Sequence, residues 1–186
     1  MITLEYLKEH LDLRPLPAEG GYYSETYRSR IKLAQSALPS HYTSERSLAT
    51  AIFYLLTSDT FSAMHLLPAD EIYHFYAGDP VEMLQLHPDG TGDTFILGQR
   101  LDEGMRLQLC VPAFSWQGSR LVAGGKWALM GTPMAPGFEF EDFRPARRDA
   151  LASQYPQFQQ MISELTREGD RSLDWVIRPI PAGKGA

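Results

Sequence analysis

Short strand-like segments recur along most of this chain, about every ten residues between positions 20 and 135. They are rich in β-branched and aromatic residues, and turn-forming pairs such as Asp79-Pro80 and Gly124-Gly125 separate them. Short strands with this spacing and punctuation are typical of a β-sandwich or β-barrel. Strands do not alternate with helical patterns, which disfavours a doubly wound α/β fold. The sequence therefore predicts an all-β architecture.

Helical spacing occurs near the two ends of the chain. Residues 3–11 are predicted to form a short helix with a threonine cap, and residues from about 146 to 168 a longer helical segment. A further edge strand is predicted at 173–180. We predict a single domain over residues 1–186, with a barrel core at about 20–145.

Two segments carry expectations about strand orientation and pairing. In YYSETYR, strict alternation places Tyr23, Glu25 and Tyr27 on one face and Arg28 on the other. The segments SWQGSRL and KWALMGTP are predicted to form a hairpin with its turn at Gly124.

Charge and composition narrow the class of partner and the location. The formal net charge is −6, which disfavours nucleic acid and anionic membranes as partners. No run of about 18 apolar residues is present, so no membrane span is expected. Cys110 is the only cysteine, which excludes an internal disulfide and a cysteine-based zinc cluster. The first ten residues carry charges where a signal peptide needs an apolar segment, so we expect a cytoplasmic protein.

The stretch from Phe61 to Gly78 contains the polar residues best suited to chemistry. Two strands are joined by a tight loop at 67–70, with His65 at the end of the first and Glu71 at the start of the second. Titratable groups among apolar neighbours are costly to bury unless they are paired, hydrogen-bonded or bound to a metal. A histidine and a glutamate brought together in this way suit a metal site or acid–base catalysis.

Strand alternation indicates which side chains of this stretch share a face. If Glu71 points into the barrel, Tyr73 and Phe75 do so too, while His74 points outward. The preceding strand adds His65 to the interior. Three titratable side chains are therefore predicted to meet inside the barrel.

The same stretch resembles the first metal-binding motif of the cupins, His-x-His-x(3,4)-Glu-x6-Gly. His65, Glu71 and Gly78 match its first histidine, its glutamate and its glycine, and Leu67 stands where the second histidine is expected. The resemblance implies a barrel in which one usual metal ligand is missing.

A second cupin motif, Gly-x5-Pro-x-Gly-x2-His, is matched more loosely by GMRLQLCVPAFSWQ. Pro112 fits the proline with a longer spacing, Phe114 replaces the second glycine, and Gln117 replaces the last histidine. Two of the four usual cupin ligands are thus changed.

Longer blocks resemble one group of cupins in particular. EGGYYSETYRS, TAIFYLLTSDTFSAMHLLPADEIYHFYAGDP, VPAFSWQ and APGFEFEDF, in this order, look like the cupin-5 family, small cupins described as a domain of unknown function. The resemblance covers roughly residues 11–155. It implies a double-stranded β-helix, or jelly roll, with a pocket in the barrel and a homodimeric assembly. The sheet edges that a jelly roll must cover also favour a homodimer.

These observations predict a metal-free pocket for a small molecule, with no cofactor. His65, Glu71 and Tyr73 are the predicted catalytic residues: Glu71 would hold one imidazole nitrogen, His65 would move a proton next to a carbonyl, and Tyr73 would be the partner acid. This chemistry suits an isomerase or epimerase of a sugar-like or polar metabolite. The predicted ligand-binding side chains are Phe75, Gln108, Trp116, Gln117 and Ser119.

Three alternatives remain open at this point. The same pocket could belong to a non-catalytic binding module. His65 and Glu71 could form a hydrogen-bonded pair with a structural role alone. A metal-dependent cupin could use His65, Glu71 and Gln117 as ligands, although glutamine is a poor ligand for zinc or iron.

Overall fold

The computed structural model describes residues 3–167, which form thirteen strands, β1 to β13, and three α-helices, α1 to α3. In chain order the strands are Arg14–Pro15, Tyr22–Arg28, Lys32–Leu33, Arg46–Ser47, Thr50–Thr57, Ser62–Leu66, Glu71–Gly78, Val81–Leu86, Gly92–Leu97, Gln108–Val111, Trp116–Leu121, Trp127–Met134 and Arg144–Pro145. The α-helices are Leu4–His10, Arg148–Gln154 and Gln159–Glu164. Single 3-10 turns lie at Gln35–Ala37, Leu101–Glu103, Phe140–Asp142 and Pro156–Phe158.

Two antiparallel sheets contain most of the strands. The six-stranded sheet has the order β1-β2-β5-β12-β7-β10, and the five-stranded sheet the order β13-β6-β11-β8-β9. From β5 to β8 the chain alternates between the two sheets, so strands distant in sequence become neighbours. This alternation confirms the predicted double-stranded β-helix.

The main core lies between the two sheets. It contains Tyr73 and Phe75 of β7, Met83 of β8, and Met130 of β12, all buried. Complete burial of a large apolar side chain contributes about 1.5–3 kcal/mol. The strict alternation of buried and exposed residues along β7 confirms that Glu71, Tyr73 and Phe75 point inward.

The helices cover outer faces of both sheets. Thr3 caps α1 by accepting a hydrogen bond from the backbone N–H of Tyr6, and the apolar face of α1 packs on the six-stranded sheet. Tyr155 and Ile162, from the C-terminal helical segment, pack with Leu84 on the outer face of the five-stranded sheet. The predicted helical additions at both ends are therefore confirmed as far as residue 167.

The predicted hairpin between β11 and β12 is wrong. β11 pairs with β6 and β8, whereas β12 pairs with β5 and β7 in the opposite sheet. The turn at Gly124 thus carries the chain from one sheet to the other. The residues of a turn are compatible with either a hairpin or a crossover between sheets. The packing of the two sheets decides which strands pair.

Two further predictions concern other parts of the chain. No helix within residues 3–167 is both long enough and apolar enough to cross a membrane. The edge strand predicted at 173–180 lies outside the residues that the structure describes.

Candidate functional site

A cavity of about 260 Å³ lies against the inner face of the six-stranded sheet. Its polar lining consists of Glu19, Tyr23, Glu25, Arg28, Thr50, Glu71, Thr132 and Glu139. Its apolar lining consists of Leu16, Ile52, Leu67, Met134, Phe138 and Phe140. The volume is slightly below the usual range for drug-sized ligands and suits a small metabolite.

Glu71 reaches the cavity because a tight loop delivers it to the first position of β7. The loop is held from the facing segment: Asp70 Oδ1 accepts a hydrogen bond from the backbone N–H of Ala113 at 2.7 Å. The backbone N–H of Phe114 donates to the carbonyl of Leu67 at 2.8 Å. These two bonds fix the start of β7 and therefore the direction in which Glu71 points.

The Glu71 carboxyl is only 6% exposed and has a close polar partner. Its Oε2 accepts a hydrogen bond from Nε2 of Gln117 at 2.7 Å. Burial raises the pKa of Glu71, and the negative charge of Glu19 raises it further. The charge of His65 and hydrogen bonds from Gln117 and Thr132 act in the opposite direction. The result is a carboxyl at the cavity wall that holds its proton more tightly than an exposed glutamate.

Tyr73 is two residues beyond Glu71 on the same inward face of β7, and it is fully buried. Burial raises its pKa well above the usual value, and the negative charges of Glu71 and Glu19 add to the effect. The phenol therefore stays protonated at neutral pH and is available as a hydrogen-bond donor to Glu71. Its placement beside Glu71 follows from the two-residue repeat of β7.

Glu19 is a cavity carboxyl that the sequence did not single out. Ser62 Oγ donates to its Oε1 at 2.9 Å, and the backbone N–H of Ala63 donates to its carbonyl at 2.8 Å. Gly20, with φ +104°, follows it, and a Cβ there would lie 2.4 Å from the carbonyl oxygen of Phe61. The Gly20-Gly21 pair is visible in the sequence as a turn, but nothing local shows that this turn points Glu19 into the barrel.

Arg28 lines the cavity because β2 contains a bulge. Glu25 lies opposite Ile52 of β5, and Arg28 lies opposite Thr50. The register of this strand pair shifts between Glu25 and Tyr27. One extra residue reverses the alternation, so Arg28 shares the face of Glu25 and Tyr27 is exposed. The prediction that Arg28 faces away from Glu25 is therefore wrong.

The segment 138–140 covers one side of the cavity with two aromatic rings. Phe138 and Phe140 are in edge-to-face contact with centroids 5.3 Å apart, and Phe140 meets Tyr23 at 6.5 Å. Glu139 binds Arg28 Nη1 at 2.5 Å. The sequence block containing these residues supported the family resemblance, but no role had been predicted for it.

His65 is inside the barrel, 1% exposed, but it is not part of the cavity lining. Its Nδ1 donates to the carbonyl of Ala63 at 2.8 Å, and its ring stacks on Phe143 with centroids 5.0 Å apart. The predicted hydrogen bond between His65 and Glu71 is wrong. Gln117 lies opposite His65 in the sheet, and it is Gln117 that donates a hydrogen bond to the Glu71 carboxylate.

The other predicted ligand-binding residues are placed differently from one another. Gln117 and Ser119 are buried on the inner side of β11, and Phe75 packs in the main core rather than in the cavity wall. Trp116 points to the outer face of the five-stranded sheet and packs against the C-terminal helical layer, so its predicted place in the pocket is wrong. Alternation along β11 explains the difference, because Trp116 precedes the inward Gln117.

Gln108 is also on the outside. In β10 the buried residues are Leu109 and Val111, so Gln108 and Cys110 are exposed. Gln108 Nε2 lies 3.4 Å from the ring nitrogens of His74, on the outer face of the six-stranded sheet. The prediction that Gln108 lines the pocket is therefore wrong: burial of the apolar pair sets the orientation of this strand.

Comparison with known proteins identifies the relatives of this architecture. The family described as Cupin_5, of the cupin superfamily (DUF985), matches residues 5–146. The chain belongs to this cupin family. A hypothetical protein from Leishmania major is 30% identical, with a TM-score of 0.79 over 90% of this chain and 100% of that one. Protein SO0799 from Shewanella oneidensis is 32% identical, with a TM-score of 0.78 over 90% of this chain and 99% of that one.

A yeast relative is similar over a shorter stretch. Uncharacterized protein YML079W from Saccharomyces cerevisiae is 28% identical over 132 residues, which are 67% of this chain. The match spans 66% of the yeast protein, just under two thirds of its length. The family predicted from the sequence blocks is thus confirmed, and the names of these three relatives state no activity.

The raised pKa of Glu71 predicts a pH-dependent cost to the fold. A carboxyl whose pKa is higher in the folded than in the unfolded state favours folding below the unfolded pKa, and this contribution is lost as pH rises through the folded pKa. Glu71→Gln should therefore melt at a higher temperature than wild type near neutral pH, and the difference should shrink in acid. Thermal unfolding of both proteins from about pH 4 to pH 8 measures it.

A matched variant isolates the effect of burial. Glu103 lies in an exposed 3-10 turn, so Glu103→Gln should change the melting temperature little and almost equally at every pH. A difference between Glu71→Gln and wild type that stays constant across the pH range would contradict the raised pKa.

Proposed function

We propose that this cupin binds a small polar metabolite in the cavity and that Glu71 exchanges a proton with it, in an isomerase- or epimerase-type reaction. The observation that carries the proposal is a buried carboxyl in the cavity wall with a raised pKa. General acids and bases work best when their pKa lies near the working pH, and burial moves a glutamate in that direction.

The neighbours of Glu71 have distinct proposed roles. Gln117 orients the Glu71 carboxyl by donating a hydrogen bond to Oε2. The Tyr73 hydroxyl stabilises the charged form of Glu71 by donating a hydrogen bond to the same carboxyl group. Glu19 supplies a second carboxyl in the same cavity, so one carboxyl can accept a proton while the other returns one. His65 acts through its charge, which lowers the pKa of Glu71, rather than by contact with the ligand.

The residues at the cupin ligand positions do not fit a resident transition metal. Gln117 turns its amide NH₂ toward Glu71 and donates to the carboxylate, which supports a role as a donor rather than as a metal ligand. Within residues 3–167, no three His, Cys, Asp or Glu side chains are grouped to hold a metal ion. Zinc sites use three or four such ligands. We therefore propose a reaction without a resident metal and derive no step through one.

A ligand screen tests the proposed pocket. Sugars, sugar phosphates, sugar nucleotides, keto acids and small amines would be added to wild-type protein, and the melting temperature measured. At least one class should raise it, because a ligand that binds only the folded state stabilises that state. The shift should be smaller in Glu71→Gln and unchanged in Glu103→Gln. If no class raises the melting temperature of the wild type, the pocket proposal fails.

A non-catalytic binding module is the second candidate, and the position of His65 favours it. The imidazole that could have moved a proton is held by Ala63 and Phe143, outside the cavity lining. A ligand that binds but never exchanges a proton with the protein would support this reading. The homodimer and the cytoplasmic location remain predictions from the family resemblance and the sequence.

A further inference from the structure

The polar lining of the cavity is rich in carboxylates. Four glutamates line it, and Arg28 is the one guanidinium or ammonium group in its described lining. Arg28 uses Nε and Nη2 on Glu25, at 3.0 and 2.8 Å, and Nη1 on Glu139, at 2.5 Å. Its Nη2 also donates to the carbonyl of Phe138 at 3.2 Å. The guanidinium is therefore occupied and has little capacity to hold a phosphate or carboxylate of a ligand.

Glu19 and Glu71 differ from Glu25 and Glu139, which share the guanidinium of Arg28. Within residues 3–167, no lysine or arginine forms an ion pair with Glu19 or Glu71. Arg167 lies near Glu19, but it donates to the carbonyl of Ala18 and stacks over the ring of Phe61. With Arg28 shared between Glu25 and Glu139, the cavity keeps an excess of negative charge at its buried wall.

An unpartnered acceptor lies next to that wall. Gln117 is 1% exposed, and its Nε2 is committed to Glu71. The Oε1 of the same amide has no hydrogen-bond partner within the described part of the chain. A buried acceptor without a partner destabilises the protein, so a bound group that donates a hydrogen bond there would be stabilised. Gln117 is not itself part of the cavity lining, but its amide is bonded to Glu71, which is, so this acceptor lies next to the wall and would be satisfied by a ligand that donates a hydrogen bond.

The remaining walls suit the carbon skeleton of an organic cation. Tyr23, Phe138 and Phe140 present aromatic rings, and Ile52 and Met134 present acyclic apolar side chains. The negative face of an aromatic ring attracts cations within about 6 Å of its centroid. An anionic ligand would meet both the rings and the carboxylates unfavourably.

We propose that the ligand of this cavity is a cation: a small metabolite with a protonated amino group that binds Glu71 and Glu19 and donates to Gln117, with its carbon chain against the aromatic rings. This inference rests on the proposed function, because it requires that the cavity bind a metabolite, and it adds the charge class. A neutral polyol can supply donors but not the charge that two unpaired carboxylates favour.

A series of three ligands of nearly equal size but different charge tests the inference. Glucamine, sorbitol and gluconate share a six-carbon polyol chain and carry a positive, zero and negative charge at neutral pH. Their dissociation constants for the wild-type protein would be measured by calorimetry at low ionic strength. Glucamine should bind at least about tenfold tighter than sorbitol, and gluconate should bind more weakly than sorbitol. Added salt should weaken glucamine binding while leaving sorbitol binding nearly unchanged.

Variants assign the preference to the cavity. Glu19→Gln and Glu71→Gln should each reduce the ratio of glucamine to sorbitol affinity, whereas Glu103→Gln should keep it. Equal or tighter binding of sorbitol or gluconate would overturn the cationic ligand but leave the pocket proposal intact. A glucamine preference that survives both cavity variants would also overturn it. Failure of every ligand in the broader thermal screen would instead remove the pocket proposal itself.

Discussion

Replacing Glu71 by glutamine is expected to slow proton exchange at a carbon of the bound metabolite by about 10²–10⁴-fold. In the proposed reaction the carboxylate takes a proton from carbon next to a carbonyl, and a proton returns to that carbon. An amide has nearly the same shape but cannot accept the proton. In deuterated water, nuclear magnetic resonance would follow the loss of the carbon-bound proton of a ligand identified by the screen.

The exchange experiment also separates an enzyme from a binding module. Glu103→Gln should exchange at the wild-type rate, since its carboxyl is exposed outside the cavity lining. His65→Ala should change the pH at which exchange is half-maximal, because His65 acts on the pKa of Glu71. A ligand that binds wild type without any exchange would establish binding alone. Undiminished exchange in folded Glu71→Gln would end the proposed role of this residue.

Replacing Arg46 by methionine is expected to lower the free energy of unfolding by about 3 kcal/mol. Arg46 is 1% exposed and forms a two-pronged contact with Asp142, at 3.0 Å from Nε and 2.6 Å from Nη2. Its Nη1 donates to the carbonyls of Ser44 and Glu45. Methionine fills similar space but leaves Asp142, which is 9% exposed, without its charge partner. Urea denaturation of wild type and variant measures the change.

This ion pair also supports one wall of the candidate site. Asp142 Oδ2 accepts from the backbone N–H of Glu139 at 3.4 Å, and the two residues form a capping box around the 3-10 turn that follows Phe138. Loss of Arg46 should therefore weaken ligand binding as well as the fold. The control is Arg100→Met, whose side chain is 58% exposed in its pair with Glu103 and should cost less than about 1 kcal/mol. Equal losses in the two variants would contradict a special role for burial.

Local patterns predicted the features of this cupin that depend on neighbouring residues. The two-residue repeat of β7 placed Glu71, Tyr73 and Phe75 inward and His74 outward, as the structure has them. Turn signals and strand spacing predicted the all-β fold, and longer sequence blocks predicted the family. The orientation of β7 and the turns rest on chain geometry within about ten residues, whereas the family rests on the resemblance of blocks spread over most of the chain.

The same reasoning was wrong where the tertiary arrangement sets the outcome. Thr26 is the extra residue of the bulge in β2, and it alone turns Arg28 toward the cavity. The pairing of β11 with β6 and β8 brought Gln117 to Glu71 in place of His65. Neither the bulge nor the pairing has a signal in the local sequence, because both depend on strands that are far away along the chain.

Alternation and turn chemistry, which act over short distances, determined an all-β chain with an inward-facing glutamate at the start of a strand, and the resemblance to a known family indicated the jelly-roll cupin fold. Only the tertiary structure decided that Glu19 joins Glu71 in one cavity and that Arg28 is engaged by Glu25 and Glu139. The charge that a ligand meets is the sum over side chains from distant segments. For that reason the proposal of a cationic ligand required the assembled barrel.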